Sequence, residues 1–384
     1  MFKHPVLGRG FRPFFILGAL QAVFMLVLWG GYYGGYITPP DLLLATTSWH
    51  IHEMVYGFAV CVVAGFLLTA VANWTGTNPV KGRHLFVLCC LWVLGRLVMN
   101  FDFGLPVWAV YAASIAFLPA LAISLSIPLL KTDNKRNFIF LGILGVLSAS
   151  QICFLVFGVY AAIYVALMMI IMMISLVGGR IIPMFTIAVL KQGGADITPT
   201  PQPKWDIAAL VSLVVTTACL VSVPDSLLLT ASAFIAVFIH LARMRHYHSL
   251  RTLALPMLWI LHAGYLWVVI GLVLIGLSGA GVVNLTLALH ALSTGAVGSL
   301  TLGMMTRVAL GHTGRNLVAS RLTLLSFLLM QIAAILRVFG PMVLPEFSMV
   351  WIIGSASVWS FCYFLYLIIY APILLRARPD GNPA

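Results

Sequence analysis

Stretches of about 20 apolar residues follow one another along the whole chain, and each is long enough to cross a hydrocarbon layer about 30 Å thick. Inside lipid a backbone N–H or C=O finds no water, so such a run must satisfy its polar groups within itself, as an α-helix does. Turn chemistry punctuates the runs: TPPD at 38–41, NWTGTNP at 73–79, KTDNKRN at 131–137 and KQGGADITPTPQPK at 191–204. The pattern predicts spans at 14–36, 50–72, 84–101, 107–130, 138–156, 161–188, 206–223, 226–242, 257–277, 283–307, 321–338 and 348–373. The least marked break is between the fifth and sixth, where 138–188 has little polar punctuation. Charged residues make up 8% of the chain, against about 25% in an average soluble domain. The expectation is an all-α polytopic membrane protein of about 12 transmembrane helices in one bundle, a single domain over 1–384, with no internal repeat.

The formal charge of +12 raises the question of a nucleic-acid partner. The basic residues are scattered among inter-helix loops and form no single patch, so a nucleic-acid reading is set aside and the lipid bilayer is the expected surrounding. With the N-terminus inside, all but two of the 21 Lys and Arg residues, Lys3 among them, fall on inner segments; Arg96 and Arg337 are the two exceptions. The positive-inside rule then places both ends in the cytoplasm of a bacterial inner membrane, and a missed helix would have scrambled the alternation. The segment before the first span shows no short apolar region with a small-residue cleavage site, and retention is expected. The six cysteines lie inside apolar runs and form no CxxC or CxxCH pattern, which argues against covalent haem attachment and thiol redox chemistry.

An ionisable side chain at membrane depth is costly and marks a candidate site. Two layers emerge. In the outer layer the second span opens with SWHIHEMVYGF, placing His50, His52 and Glu53 near its outer end; Arg96 lies near the outer end of the third, and His290 sits about 10 Å into the tenth. Histidines from two helices at similar depth can hold one haem iron. His50 and His52 lie about 200° apart on a helix, so one is the axial candidate and the other a second-metal ligand or a partner for Glu53. In the inner layer His262 lies about five residues into the ninth span, with Arg180, Arg307 and His312 at inner helix ends. Those arginines suit an anionic group: a haem propionate, a quinone head group or an inorganic anion. A plain interhelical hydrogen bond is the competing account of His262 and His290, and topology-setting charge that of the arginines. His84, His240, His246 and His248 border basic loops and are expected to be solvated, and His4 precedes, and Arg12 lies in, FRPFF, an expected interfacial anchor.

Four segments, GRGFRPFFILGAL at 8–20, WHIHEMVYGF at 49–58, GGRIIPMFT at 178–186 and HALSTGAVGSLTLGMMTRVALGHTGR at 290–315, strongly resemble the NnrS family of bacterial membrane proteins. The resemblance implies a 12-helix inner-membrane protein of denitrifying or nitric-oxide-stressed bacteria, whose relatives bind haem and copper. A looser likeness runs to subunit I of haem–copper oxidases and to nitric oxide reductases, which hold a low-spin haem between histidines of helices two and ten. The sixth and seventh spans here contain no histidine, so the catalytic metal site of those enzymes has no ligands in this chain.

The expected function is a membrane protein binding haem b, with copper as a further metal, that protects against nitric oxide or nitrosative stress. Nitric oxide or a nitrosyl species is the partner, met by binding or by redox chemistry at a histidine-ligated haem. Histidines 50, 52, 262 and 290 are the candidate metal ligands, Arg180 and Arg307 further cofactor-binding residues, and Glu53, Arg96 and His312 further polar candidates. Other readings are an exporter of a small metal or nitrosyl-iron species, and a haem oxidoreductase that uses quinone as partner.

Overall fold

The computed structural model describes residues 2, 4–40 and 43–381; Lys3 and Asp41, used above for topology and a turn, lie outside them. Among the described residues there is no strand, and 12 helices are long and apolar enough to cross a membrane. They are α1 (Phe11–Tyr33), α2 (Thr46–Thr75), α3 (Gly82–Asn100), α4 (Val107–Lys131), α5 (Lys135–Phe157), α6 (Ala162–Gln192), α7 (Pro203–Ser222), α8 (Leu227–Met244), α9 (Pro256–Gly279), α10 (Leu285–Gly311), α11 (Arg321–Val343) and α12 (Pro345–Leu375). The chain is a multi-pass membrane protein. Each expected span has its helix. The unmarked break between α5 and α6 is made by Gly158, which ends α5 at φ 65°, a left-handed conformation that side chains disfavour.

The chain divides into two compact units. One comprises 1–166, 305–317 and 360–384, the other 167–304 and 318–359. In the first, α1 packs on α2, α2 and α3 on α4, and α4 on α5. In the second, α7, α8, α9 and α10 pack in sequence order, and α11 returns to α10. Lipid tails are as apolar as leucine, so these contacts rest on close packing and hydrogen bonds. Gly95 of α3 is an example: a Cβ there would stand 3.2 Å from the Cα of Ser114, so the bare glycine lets α4 approach.

Two helices depart from α geometry in the same register. In α2 a π-helical stretch, Glu53–Ala59, follows His52; in α10 another, Ala291–Val297, follows His290. Each has glycine five residues after its histidine, Gly57 and Gly295. Such widened turns concentrate at functional sites.

Candidate functional site

In the first unit the N-terminal part of α2 carries a buried polar cluster. Glu53 lies about 10 Å below the first residue of α2 at 1.5 Å per residue and is 0% exposed. A carboxylate offers four lone-pair sites, and here all are used. Oε1 accepts from Arg96 Nη1 at 2.5 Å and from His52 Nδ1 at 3.0 Å; Oε2 accepts from Gln21 Nε2 at 2.8 Å and Asn100 Nδ2 at 3.0 Å. Gly57 makes room for this, since a Cβ there would meet Gln21 Nε2 at 2.7 Å and Arg96 Nη1 at 3.1 Å. The carbonyl of Gly57 accepts from Trp92 Nε1 at 3.2 Å. A carboxylate only accepts, so His52 Nδ1 donates and Nε2 carries the lone pair. That nitrogen faces Gln151 Nε2 at 3.3 Å and Ser114 Oγ at 3.4 Å, and the ring is fully buried. His50 is half-buried instead, with its ring stacked on Trp29 at 4.2 Å. The sequence therefore brings His52, Glu53 and Arg96 into one site, with Glu53 as the partner of His52. Gln21, Asn100, Ser114 and Gln151 complete it from distant positions that carry no local signal.

His290, in the second unit, is half-buried, with Nδ1 2.7 Å from the carbonyl of Thr286. A carbonyl only accepts, so Nδ1 holds the proton, and the lone pair on Nε2 faces Arg337 Nη2 at 3.1 Å. Arg337, one of the two basic residues off the charge pattern, thus has a specific position. His262 in the same unit has both nitrogens engaged, Nε2 with Thr186 Oγ1 and Nδ1 with Ser249 Oγ, each at 2.9 Å. Arg180 is half-buried in α6 and belongs to the unit of His262; Arg307 is buried in α10 and belongs to the other. His312 follows α10, close to Arg9 and under the backbone contact of Arg378. Burial, reinforced by the charges of Arg9 and Arg378, pushes its pKa below the ordinary histidine value.

Two expectations of solvated side chains need correcting. His240 is fully buried and its Nδ1 lies 2.9 Å from the Tyr265 hydroxyl. Arg243, one of the basic residues counted above on inner segments, is 1% exposed and ties four helices together. It donates to Asp206 Oδ1 of α7 from Nε (2.8 Å) and Nη2 (2.7 Å), and from Nη1 to the Ser175 carbonyl of α6 (2.9 Å) and the Tyr265 hydroxyl of α9 (2.9 Å). Its guanidinium fills the space a Cβ on Gly179 would take, which gives the GGR segment of α6 a packing role. Arg12 is likewise buried, not an interfacial anchor. All three lie near helix ends, where hydropathy cannot tell a solvated charge from one covered by a neighbouring helix.

Among the described residues no three His, Cys, Asp or Glu side chains are grouped so as to hold a metal ion. A haem iron needs at most two protein ligands, so this bears on a copper centre and not on haem. A family described as NnrS protein matches residues 5–378 of the chain. No curated protein matches it.

Proposed function

The chain belongs to the NnrS family, and on that premise we propose that it is a haem b-binding inner-membrane protein that protects against nitric oxide or nitrosative stress. Family membership supplies the link to the nitric oxide response. The observation that carries the haem reading is His290. An imidazole prepared for a metal has one nitrogen pinned as a donor, commonly to a carbonyl, and the other left with its lone pair directed outward. His290 has its Nδ1 pinned in this way, its ring is half-buried, and the group on its Nε2, Arg337, is a cation of the kind that pairs with a propionate. Of the two histidines of α2, the half-buried ring of His50 is the better candidate ligand. His52 and His262 fit less well, because each ring is buried as well as engaged at both nitrogens, whereas His290 is half-buried.

A haem held there would supply an iron that binds nitric oxide. The protein's own part is then electrostatic and steric. Glu53 fixes the tautomer and orientation of His52 and offsets the charge of Arg96, so the outer end of α2 stays rigid. The residues around it, Trp49, Tyr56 and Phe154, exclude water from that cluster.

The deciding measurement is a reduced-minus-oxidised spectrum of purified protein with haem and metal quantification, on the parent chain and on His290→Ala, His50→Ala and His52→Ala. The first two substitutions are expected to abolish or shift the haem bands while insertion is retained, and the third to leave the bands with reduced stability. Purified protein without haem, or an unchanged spectrum in His290→Ala, would sink the reading.

A further inference from the structure

The ends of three helices in the first unit meet at one membrane face, the face that carries the first residue of α1 and the last of α12. Arg9 and Arg12 come from the start of α1, His312 and Arg315 from the segment after α10, and Arg378 and Asp380 from the segment after α12. Among the described residues, four guanidinium groups thus share this corner with one carboxylate. That carboxylate is committed: Asp380 takes Arg378 Nε at 2.9 Å and Nη2 at 2.5 Å.

Arg12 is the telling residue. Its side chain is 0% exposed. Nη1 donates to the carbonyls of Leu374 at 2.8 Å and Arg376 at 2.7 Å, which ties the start of α1 to the end of α12. Nε and Nη2, both buried, have no hydrogen-bond acceptor among the described residues, and neither does Arg9 Nε. The charges acting on Arg12 from Arg315, Arg378 and Arg9 are all repulsive. Arg9 Nη1 stands 3.5 Å from His312 Nδ1, Arg378 Nη1 donates to the His312 carbonyl at 3.1 Å, and Arg315 Nη1 donates to the Thr313 carbonyl at 3.2 Å. Backbone carbonyls therefore hold Arg12, Arg315 and Arg378 in place, and among the described residues no anion is seen on the other three guanidinium groups beside the one that pairs Arg378. A buried cation with open donors is costly unless an anion supplies both charge and acceptors.

We propose that this corner is a binding site for a phosphate group. A phosphate brings several acceptor oxygens and a negative charge, and it suits the planar forks of clustered arginines. The site lies where spans end, so the phosphate can belong to a lipid headgroup or come free from the aqueous side. The site is independent of the haem reading, because it lies on side chains that reading does not use.

The test uses purified full-length protein. Retention of phosphatidylglycerol over phosphatidylcholine, offered in equal amounts, is counted by native mass spectrometry. In parallel, inorganic phosphate is titrated against chloride at matched ionic strength, with thermal unfolding as the readout. Retained phosphatidylglycerol identifies a lipid source, and stabilisation by phosphate without lipid retention identifies a free one. In either arm Arg9→Gln and Arg378→Gln should each weaken binding about fivefold, the factor one surface cation is worth towards an anionic headgroup. Asp380→Asn, which removes the competing carboxylate, should strengthen it by a similar factor. Arg83→Gln, an exposed charge in the first turn of α3, should change nothing. Arg12→Gln would also strip two backbone carbonyls of their donor and is expected to unfold, so the test does not depend on it. No preference for either phosphate source, or binding that all four variants leave unchanged, overturns the proposal.

Discussion

The Glu53–Arg96 pair makes a sharp prediction about stability. Replacing Glu53 with leucine keeps roughly the volume and removes the carboxylate that pairs with Arg96. The guanidinium then stays 8% exposed with Ser114 Oγ, 3.5 Å from Nη2, as its remaining side-chain partner. At an effective dielectric of about 20 and charge centres about 4 Å apart, the lost attraction is about 4 kcal/mol. This agrees with the roughly 3–5 kcal/mol seen when one partner of a buried pair is removed. Arg96→Met should cost a similar amount, because it leaves Glu53 charged and fully buried. The double variant removes both charges and leaves only neutral or weakly charged donors, those of Gln21 and His52, without the carboxylate, while Asn100 keeps the backbone carbonyl of residue 96. It should be less destabilised than the sum of the single variants by about 3 kcal/mol. Unfolding of the purified protein in mixed micelles of increasing sodium dodecyl sulfate, followed by circular dichroism, gives all three numbers. Additivity of the two single effects to within about 0.5 kcal/mol would refute the reasoning.

Other outcomes follow from the same geometry. Gly179→Ala should displace the Arg243 guanidinium and lower stability by about 1–3 kcal/mol, an overpacking penalty read as a lower thermal midpoint. Gly158→Ala should cost about 1–2 kcal/mol because of its left-handed conformation; Gly142→Ala, in mid-helix with open space at its Cβ, should cost nothing. His312 is harder to protonate folded than unfolded, so stability should hold above its ordinary value of 6.5 and fall as pH drops below it. Thermal midpoints across that range should show this slope, and His312→Gln should flatten it; an unchanged slope would assign it to other groups. A reporter fused after Ala384 should read as cytoplasmic and one inserted at Pro40 as periplasmic, and two reporters on the same side would break the alternation of the helices.

The spans were legible because lipid imposes one rule on every residue of a segment. Glu53 and Arg96 were legible because each breaks that rule, Glu53 as an acid in an apolar run and Arg96 as a cation on the wrong side of the charge pattern. Their partners were not. Gln21, Asn100 and Gln151 are ordinary polar residues until tertiary packing places them within 3.3 Å of Glu53 or His52. Arg243 and His240 were misjudged for a related reason. Their helix ends beside a basic loop, and only Asp206, Ser175 and Tyr265, contributed by three other helices, take them out of solvent. The π turns leave no trace in hydropathy, because hydrogen-bond register is a property of the backbone and not of side-chain polarity.

Those turns give the chain an unusual tolerance to length change. Deleting one residue from an ordinary stretch of helix rotates everything beyond it by about 100°, since 3.6 residues complete a turn, and moves every downstream side chain to a new face. A π turn already contains a surplus residue. A deletion inside Glu53–Ala59 or Ala291–Val297 can therefore be absorbed by reverting to α geometry, with the flanking segments kept in phase. Read in reverse, each widened turn is where an insertion could enter a straight helix without disturbing its packing. The two stretches in α2 and α10 then mark, in identical register, where single-residue gaps should collect when sequences of this family are compared.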